Sequence, residues 1–332
     1  MISDEVRQRV AEAFAGFVGN ADATHALKRS LLVGLSKDPP SLDKTFLFSG
    51  PPSTGKSDLA RRVNKCLGLP FVQLDGRALR SREKLFEMID DSLASRQMSP
   101  RKIEDRGGMP VFQYPAVCVY VDEVHLIGQG VQQSLLTLLE RDDCSVVLEY
   151  GSIRKVAMMP GSAYLFATTK PADLERAFRS RCSELVLNRY SSEEVSTMVK
   201  RRFPDLPHDM IKSVAGSSRL TPRIAFDISS DLMDEIAISE DDDLRAALRR
   251  VLRGRGILAE NGITRNDLRY LQVLRNRKPV GEAAILSMLG DIDRSVIQDD
   301  VEPFLLREGY IGISEKGRQI TLKGCDVLES VK

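Results

Sequence analysis

The segment Gly50-Pro51-Pro52-Ser53-Thr54-Gly55-Lys56-Ser57 constrains this 332-residue chain more than any other. It follows the apolar run Thr45-Phe-Leu-Phe48 and opens into the helical stretch Asp58-Leu-Ala-Arg-Arg-Val-Asn-Lys65. Its glycines let backbone N–H groups turn inward, and the start of the helix adds partial positive charge, so the loop forms a cradle for phosphates. In that setting Lys56 reaches the β and γ oxygens of a nucleotide and the Ser57 hydroxyl ligates Mg²⁺, which makes ATP with Mg²⁺ the expected ligand.

Short apolar runs at 45–48, 71–74, 117–121 and 164–167 alternate with helical stretches. Strands apolar on both faces belong in a parallel sheet covered by helices, so this part of the chain reads as α/β. The third run ends in Asp122-Glu123. That puts two carboxylates at the carboxyl edge of the sheet, beside the phosphate loop. There Asp122 is expected to hold the Mg²⁺ shell and Glu123 to orient or deprotonate the attacking water.

From 191 to about 251 strand runs give way to helical periods, with Ser191-Ser-Glu-Glu reading as a helix start. The tail from about 261 reads as three helices, the run Tyr310-Ile-Gly-Ile-Ser314, a Lys316-Gly317 turn and Gln319-Ile-Thr-Leu322, the layout of a winged helix. Three domains are expected: a P-loop parallel-sheet domain over 1–187, a small helical lid over 188–256 and a winged helix over 257–332.

Total charge selects no partner, since 48 basic residues meet 47 acidic ones. Cys66, Cys118, Cys144, Cys182 and Cys325 lie far apart with no CxxC pair, which argues for free thiols in a reducing compartment against a zinc site or disulfide frame. No window approaches the ~18 apolar residues a membrane span needs, and the chain is charged from Asp4 onward. A soluble, cytoplasmic protein with no membrane partner is expected.

The strand ending Asp122-Glu123-Val-His125 and the later Ala167-Thr-Thr169 resemble the AAA+ ATPases, and most closely the RuvB family of Holliday-junction branch-migration motors, over nearly the whole chain. The resemblance implies that Phe17 and Val18, in Phe17-Val-Gly-Asn20, line an adenine pocket, with Asn20 keeping the amide of the family's Phe-x-Gly-Gln. It implies nucleotide contacts from Gly50 through Ser57 and from Asp58, and makes Thr169 a sensor that bonds the γ-phosphate or attacking water. The stretch from Lys170 to Arg179-Ser-Arg181 is similar to the segment that carries the family's arginine finger, with Arg181 the first candidate and Arg179 the second. Since a finger acts in a neighbour's site, a homo-oligomeric ring, a hexamer, is implied. Tyr190 resembles an adenine-stacking tyrosine. Leu220-Thr-Pro222-Arg223 is similar to the family's Gly-Thr-Pro-Arg, in which proline fixes the helix start and arginine is sensor 2.

The tail looks like the family's winged helix, which implies DNA contact by Arg318 and Lys316 at the wing tip. Independently, residues 245–278 carry ten basic side chains against Glu260 and Asp267, a patch able to neutralise phosphates. Arg77 and Arg80 follow the second strand, where AAA+ proteins place a pore loop; a solvated helix face is the alternative reading. Residues 145–160 resemble the hairpin that grips RuvA, shortened at the tip, and 95–115 reads as an inserted loop. That loop's apolar tip suits a protein partner, a gripped polypeptide or packing on the chain's own surface. The expected function is a ring-forming ATPase that translocates or remodels DNA. The alternatives are an ATP-dependent switch or loader in a phage, plasmid, transposition or defence system, or a protein remodeller.

Overall fold

The computed structural model describes residues 2–38, 40–140, 144–238, 243–275 and 279–330, in two compact units, Met1–Arg189 and Tyr190–Lys332. In the first, α1 (Asp4–Ala13) and α2 (Ala21–Leu35) precede β1 (Phe46–Ser49), α3 (Lys56–Leu67), β2 (Phe71–Asp75) and α4 (Arg82–Ala94). Then come β3 (Arg101–Arg106), β4 (Met109–Gln113), β5 (Cys118–Asp122), α5 (Gln129–Leu138), β6 (Ser145–Tyr150), β7 (Ile153–Met158), β8 (Ala163–Thr168), α6 (Arg176–Ser180) and β9 (Ser183–Val186).

Five strands form one sheet in the order β2-β5-β8-β1-β9, with parallel pairing throughout. Successive residues of β5 alternate between two cores. Val119 and Val121 join α4 and α5 on one face, while Cys118 and Tyr120 join α2 and α3 on the other. This is why the runs read as continuously apolar. The strand β9 carried no such signal, because it is an edge strand whose residues stay partly exposed.

A second sheet has the order β3-β4-β7-β6. The stretch expected as an inserted loop is therefore a hairpin, turned at Gly107-Gly108 and joined in parallel to β7. All six residues of β3 are exposed, so no alternation of apolar and polar residues announced it. The expected insertion and the 145–160 hairpin are parts of one sheet.

The second unit begins with α7 (Ser192–Arg202), α8 (His208–Ser217), α9 (Pro222–Ile238) and α10 (Leu244–Gly254) around one core. Ser191 caps α7 in a reciprocal box with Glu194, as its sequence signals. A separate core collects α11 (Arg265–Leu274), α12 (Glu282–Met288), α13 (Arg294–Val296), a π-helical turn over Ile297–Val301, α14 (Glu302–Arg307), β10 (Ile311–Ser314), β11 (Gly317–Ile320) and a closing helix α15 (Leu322–Ser330). Val280 forms a single antiparallel bridge to the two-stranded β10–β11 wing, exchanging two backbone hydrogen bonds with Arg318, of 2.9 and 2.8 Å.

Gly317 permits that bridge. Its φ is +121°, and a Cβ there would lie 2.4 Å from the Val280 carbonyl oxygen. Gly317→Val should therefore break the Val280–Arg318 pairing and cost about 1–3 kcal/mol locally. Amide hydrogen exchange at Val280 and Arg318 should accelerate while α9 amides keep their protection; unchanged exchange at Val280 would contradict the assignment.

Candidate nucleotide site and nucleic-acid surface

The phosphate loop hangs between β1 and α3. Gly50 has φ +149°, and a Cβ on it would come within 2.2 Å of the Leu187 carbonyl, so only glycine lets the loop pass β9's exit. Gly55, at φ +91°, caps α3 without a side-chain acceptor, which leaves the first amides of the helix for an anion. Lys56 is 7% exposed and donates to the carbonyls of Gly50 (2.9 Å) and Pro51 (2.8 Å). Burial lowers its pKa, and Glu123 and Asp122 oppose that shift. Phosphate oxygens would offer this ammonium charge-assisted bonds in place of neutral ones. Thr54 closes the loop by donating to Pro51 O at 2.9 Å, and Ser53 takes a left-handed φ of +60° between Pro52 and Thr54.

Ser57 and Asp122, the two expected metal ligands, meet: the Ser57 hydroxyl lies 3.5 Å from Asp122 Oδ2 and 3.0 Å from the Tyr120 hydroxyl. A hydroxyl and a carboxylate are a hard-oxygen donor pair that suits Mg²⁺ shared with nucleotide phosphates. The role of Tyr120 was not legible, since within an apolar run a tyrosine reads as core. Burial raises its hydroxyl's pKa and keeps it a neutral partner for Ser57.

Glu123 sits at φ +48°, a left-handed conformation uncommon outside glycine and asparagine. Its Oε2 accepts the Thr169 hydroxyl at 2.8 Å and the Thr169 N–H at 3.1 Å. The ring nitrogen His125 Nδ1 lies 3.2 Å from the same oxygen and 3.0 Å from Thr168 Oγ1. Expected base and expected sensor are thus bonded to each other across the ends of β5 and β8. A cavity of about 450 Å³ opens beside them, lined by Gln73, Leu74, Asp75, Arg77, Asp122 and Glu123. Arg77 therefore reaches the rim of the carboxylate site, whereas Arg80, also exposed, is not part of that lining.

Phe17 and Val18 are half-buried. Arg62 of α3 stacks over the Phe17 ring, donates to Ala13 O and Ala15 O at 2.9 Å, and pairs with Asp58 at 2.9 Å. The Asp58 carboxylate is thus turned to Arg62, leaving its backbone as the part near phosphate. Asn20 donates to Thr54 O (3.4 Å) and Asn188 O (3.3 Å) and accepts from Asn188 N (2.7 Å), tying the phosphate loop to the chain after β9.

Of the finger candidates, Arg179 donates to Glu184 of β9 at 2.7 Å; burial would raise that carboxyl's pKa, but hydrogen bonds from Arg179 and Ser49 bring it below the usual range. Among the described residues the Arg181 side chain pairs with the half-exposed Glu140 at 3.1 Å, a contact that a better partner can displace. In the second unit Pro222 opens α9 and Arg223 follows it, exposed and without an ion pair among the described residues. Leu220 stands at φ +59° where the family pattern has glycine. Tyr190, which resembles an adenine-stacking tyrosine, is 6% exposed and packs in the α7–α10 core.

Two nucleic-acid expectations change. Arg318 is not free at the wing tip but lies on β11, 19% exposed, where it donates to Glu302 (3.1 and 2.8 Å) and Glu282 (3.0 Å). Glu302, which also accepts the Tyr270 hydroxyl at 2.6 Å, is too buried to go without a cation. The exposed tip cation is Lys316. The basic run is also less open than its count implied. Arg245, Arg249, Arg250, Arg255, Arg269 and Arg275 pair with Asp209, Asp243, Glu235, Asp231, Asp291 and Glu329. Most of these carboxylates come from other segments, so a count along 245–278 missed them. Arg277 and Lys278 lie outside the described residues. Among the described residues no helix is long and apolar enough to cross a membrane.

Residues 46–190 match the model of the AAA family, ATPases associated with various cellular activities, and residues 260–329 match the RuvB C-terminal winged helix domain. The chain is similar to the Holliday junction branch migration complex subunit RuvB of Mycoplasma genitalium, 26% identical over 324 residues that cover 95% of this chain and 96% of the relative. Its likeness to that subunit from Mycoplasma pneumoniae is 25% over 325 residues, covering 96% of each. Among solved structures, the Thermotoga maritima RuvB Holliday junction branch migration motor superposes with a TM-score of 0.71 at 21% identity, over 94% of this chain and 95% of that one.

Two substitutions separate binding from hydrolysis. Lys56→Ala should abolish ATP binding by removing the phosphate ammonium. Glu123→Gln should bind ATP but turn it over about 10²–10⁴-fold more slowly, the usual contribution of a positioned base. Nucleotide titration and single-turnover hydrolysis check both; normal turnover by Glu123→Gln would exclude the assigned role.

Proposed function

The chain is a RuvB-like AAA+ ATPase, and on that basis we propose that it works as a homohexameric, cytoplasmic DNA motor that uses ATP hydrolysis with Mg²⁺ to drive branch migration. One observation carries the reading: an AAA nucleotide unit and a RuvB-type winged helix share one chain, over nearly the full length of proteins named as branch-migration subunits.

In this reading the amides opening α3 and the Lys56 ammonium bind the β and γ phosphates. Ser57 and Asp122 hold Mg²⁺, which supplies charge neutralisation on the phosphate oxygens. Thr169 exchanges its bond to Glu123 for one to the γ-phosphate or attacking water, and the released carboxylate takes the water's proton. Arg181 leaves Glu140 and enters a neighbour's site, where a guanidinium stabilises transition-state charge by about 10³–10⁵ in rate. Arg223 reports the nucleotide to the lid. Lys316 anchors the wing on DNA, and the β3-β4-β7-β6 sheet, whose Ile103 and Ile153 are exposed, serves a protein partner.

The decisive measurement is the ATPase rate alone, with duplex DNA, with a four-way junction and with an unfolded protein. The junction should stimulate most. Stimulation by unfolded protein but not by DNA would favour a remodeller.

Arg181→Ala should lower turnover by about three orders of magnitude or more without weakening ATP binding. Titrating in Lys56→Ala subunits should restore part of the rate, since these keep their finger for a neighbour's intact loop; no recovery at any ratio argues against action in trans. Lys316→Ala should weaken DNA binding and reduce the salt slope by about one charge, read from Kd against ionic strength, with basal hydrolysis unchanged.

A further inference from the structure

The corner between α8 and α9 places two successive non-glycine residues in the left-handed region, Arg219 at φ +55° and Leu220 at φ +59°. A bulky residue held there is unfavourable unless its surroundings fix it, so such a site invites the question of what does. The Arg219 side chain supplies an answer. It is 9% exposed, although it belongs to a surface corner of the lid. Among the described residues its side-chain partners all lie in the winged helix.

Its Nε donates to Gly262 O at 2.9 Å. One Nη donates to Thr264 Oγ1 at 3.3 Å and to Asp267, and the other to Asp300 Oδ1 at 3.3 Å. The guanidinium plane lies 3.9 Å from the centroid of the Phe304 ring, within cation–π range. Asp267 is fully buried, and its second oxygen, Oδ1, has no partner among the described residues. The same Asp267 closes the capping box that starts α11. Arg219 is therefore the counter-charge for a carboxylate on which a winged-helix element depends. Four residues further along the chain, on the first turn of α9, stands Arg223.

We propose that Arg219 is a positioning residue that locks the sensor-bearing helix α9 to the winged helix, so that a nucleotide-dependent movement of Arg223 is delivered to the DNA-binding end as one rigid displacement. The inference rests on the DNA-motor reading for its consequence, but the lock itself does not need DNA. Lysine cannot replace the arginine fully. A single ammonium lacks the fork that reaches Gly262, Thr264, Asp267 and Asp300 together and the flat face that stacks on Phe304.

The test uses the full-length chain with unnatural-amino-acid spin labels at the exposed positions Asp234 on α9 and Glu315 in the wing turn. Wild type should give one narrow label-to-label distance, unchanged between ADP and a slowly hydrolysed ATP analogue. Arg219→Ala should broaden it, Arg219→Lys should broaden it less, and ATP affinity should stay within about twofold. Phe304→Leu keeps apolar volume while removing the ring under the guanidinium; it should give an intermediate width, and it decides the matter if Arg219→Ala does not fold.

A second arm compares duplex DNA affinity in the two nucleotide states. The wild-type ratio should be about fivefold or more, in the usual range of coupled sites, and should fall towards one in Arg219→Ala. A narrow, unchanged distance in Arg219→Ala or in the fallback Phe304→Leu overturns the proposal, as does a preserved coupling ratio. If wild type binds no DNA in either state, the DNA-motor reading fails, and the distance arm still decides the lock.

Discussion

A parallel sheet covered by helices on both faces leaves only its strand ends to water, and that constraint confines the chemistry of this chain to one edge. The loop after β1, the acids ending β5 and the threonines ending β8 converge there because β5, β8 and β1 are neighbours in the sheet. The hydrogen bond from Thr169 to Glu123 spans the ends of β8 and β5, and the contact of Ser57 with Tyr120 and Asp122 joins α3 to the same β5. Neither contact could survive a shift of one strand by a residue, since every side chain would then exchange faces. The two apolar cores that flank the sheet fix its register and thereby the distance between Glu123 and Thr169.

Much of this was legible because it is local. A phosphate loop is a run of backbone conformations that glycines and a helix start announce, and a strand ending in two acids declares where those acids lie. What sequence could not show depends on segments far apart in the chain. Arg318 read as a wing-tip cation until Glu282 and Glu302 came to it from two helices. The basic run after 245 read as a patch until Asp209, Asp231, Asp291 and Glu329 folded against it. The packing of Tyr190 in the α7–α10 core likewise depends on helices that follow it in the chain. The β3–β4 hairpin escaped notice for a different reason: β3, exposed along its length, has neither a continuous apolar run nor a buried face to alternate with a polar one.

The pairing of the lid arginines bears on how such a surface could still meet a phosphate backbone. Exposed ion pairs such as Arg245–Asp209 contribute little, about 0–1 kcal/mol, because water screens them and two long side chains are ordered to make them. A polyanion displaces such carboxylates at small cost, so these arginines remain available in a way that Arg318 does not. Arg318 faces a largely buried Glu302 already engaged by Tyr270, and its removal to solvent would strand that carboxylate. The wing is thus stiffened by its buried arginine and offers its exposed Lys316 outward, a division between structural and contacting cations that composition alone cannot draw.

The same reasoning separates Arg219 from Arg223, four residues apart. Arg223 is exposed on the first turn of α9 with no carboxylate among the described residues, so its charge is available to an incoming anion. Arg219 is buried against Asp267, and its charge is already spent within the fold. A guanidinium held by four acceptors and an aromatic face has little freedom of its own, so the backbone that carries it has little either, which accounts for the tolerance of two left-handed, non-glycine residues at that corner. The family pattern places glycine where Leu220 stands. With leucine in that position the corner is held by side-chain contacts, Arg219 on the winged helix and Leu220 against the lid core, instead of by a backbone that adopts the turn without strain. A lid built in this way cannot reshape the start of α9 without also disturbing the cap of α11, because one buried guanidinium–carboxylate pair belongs to both.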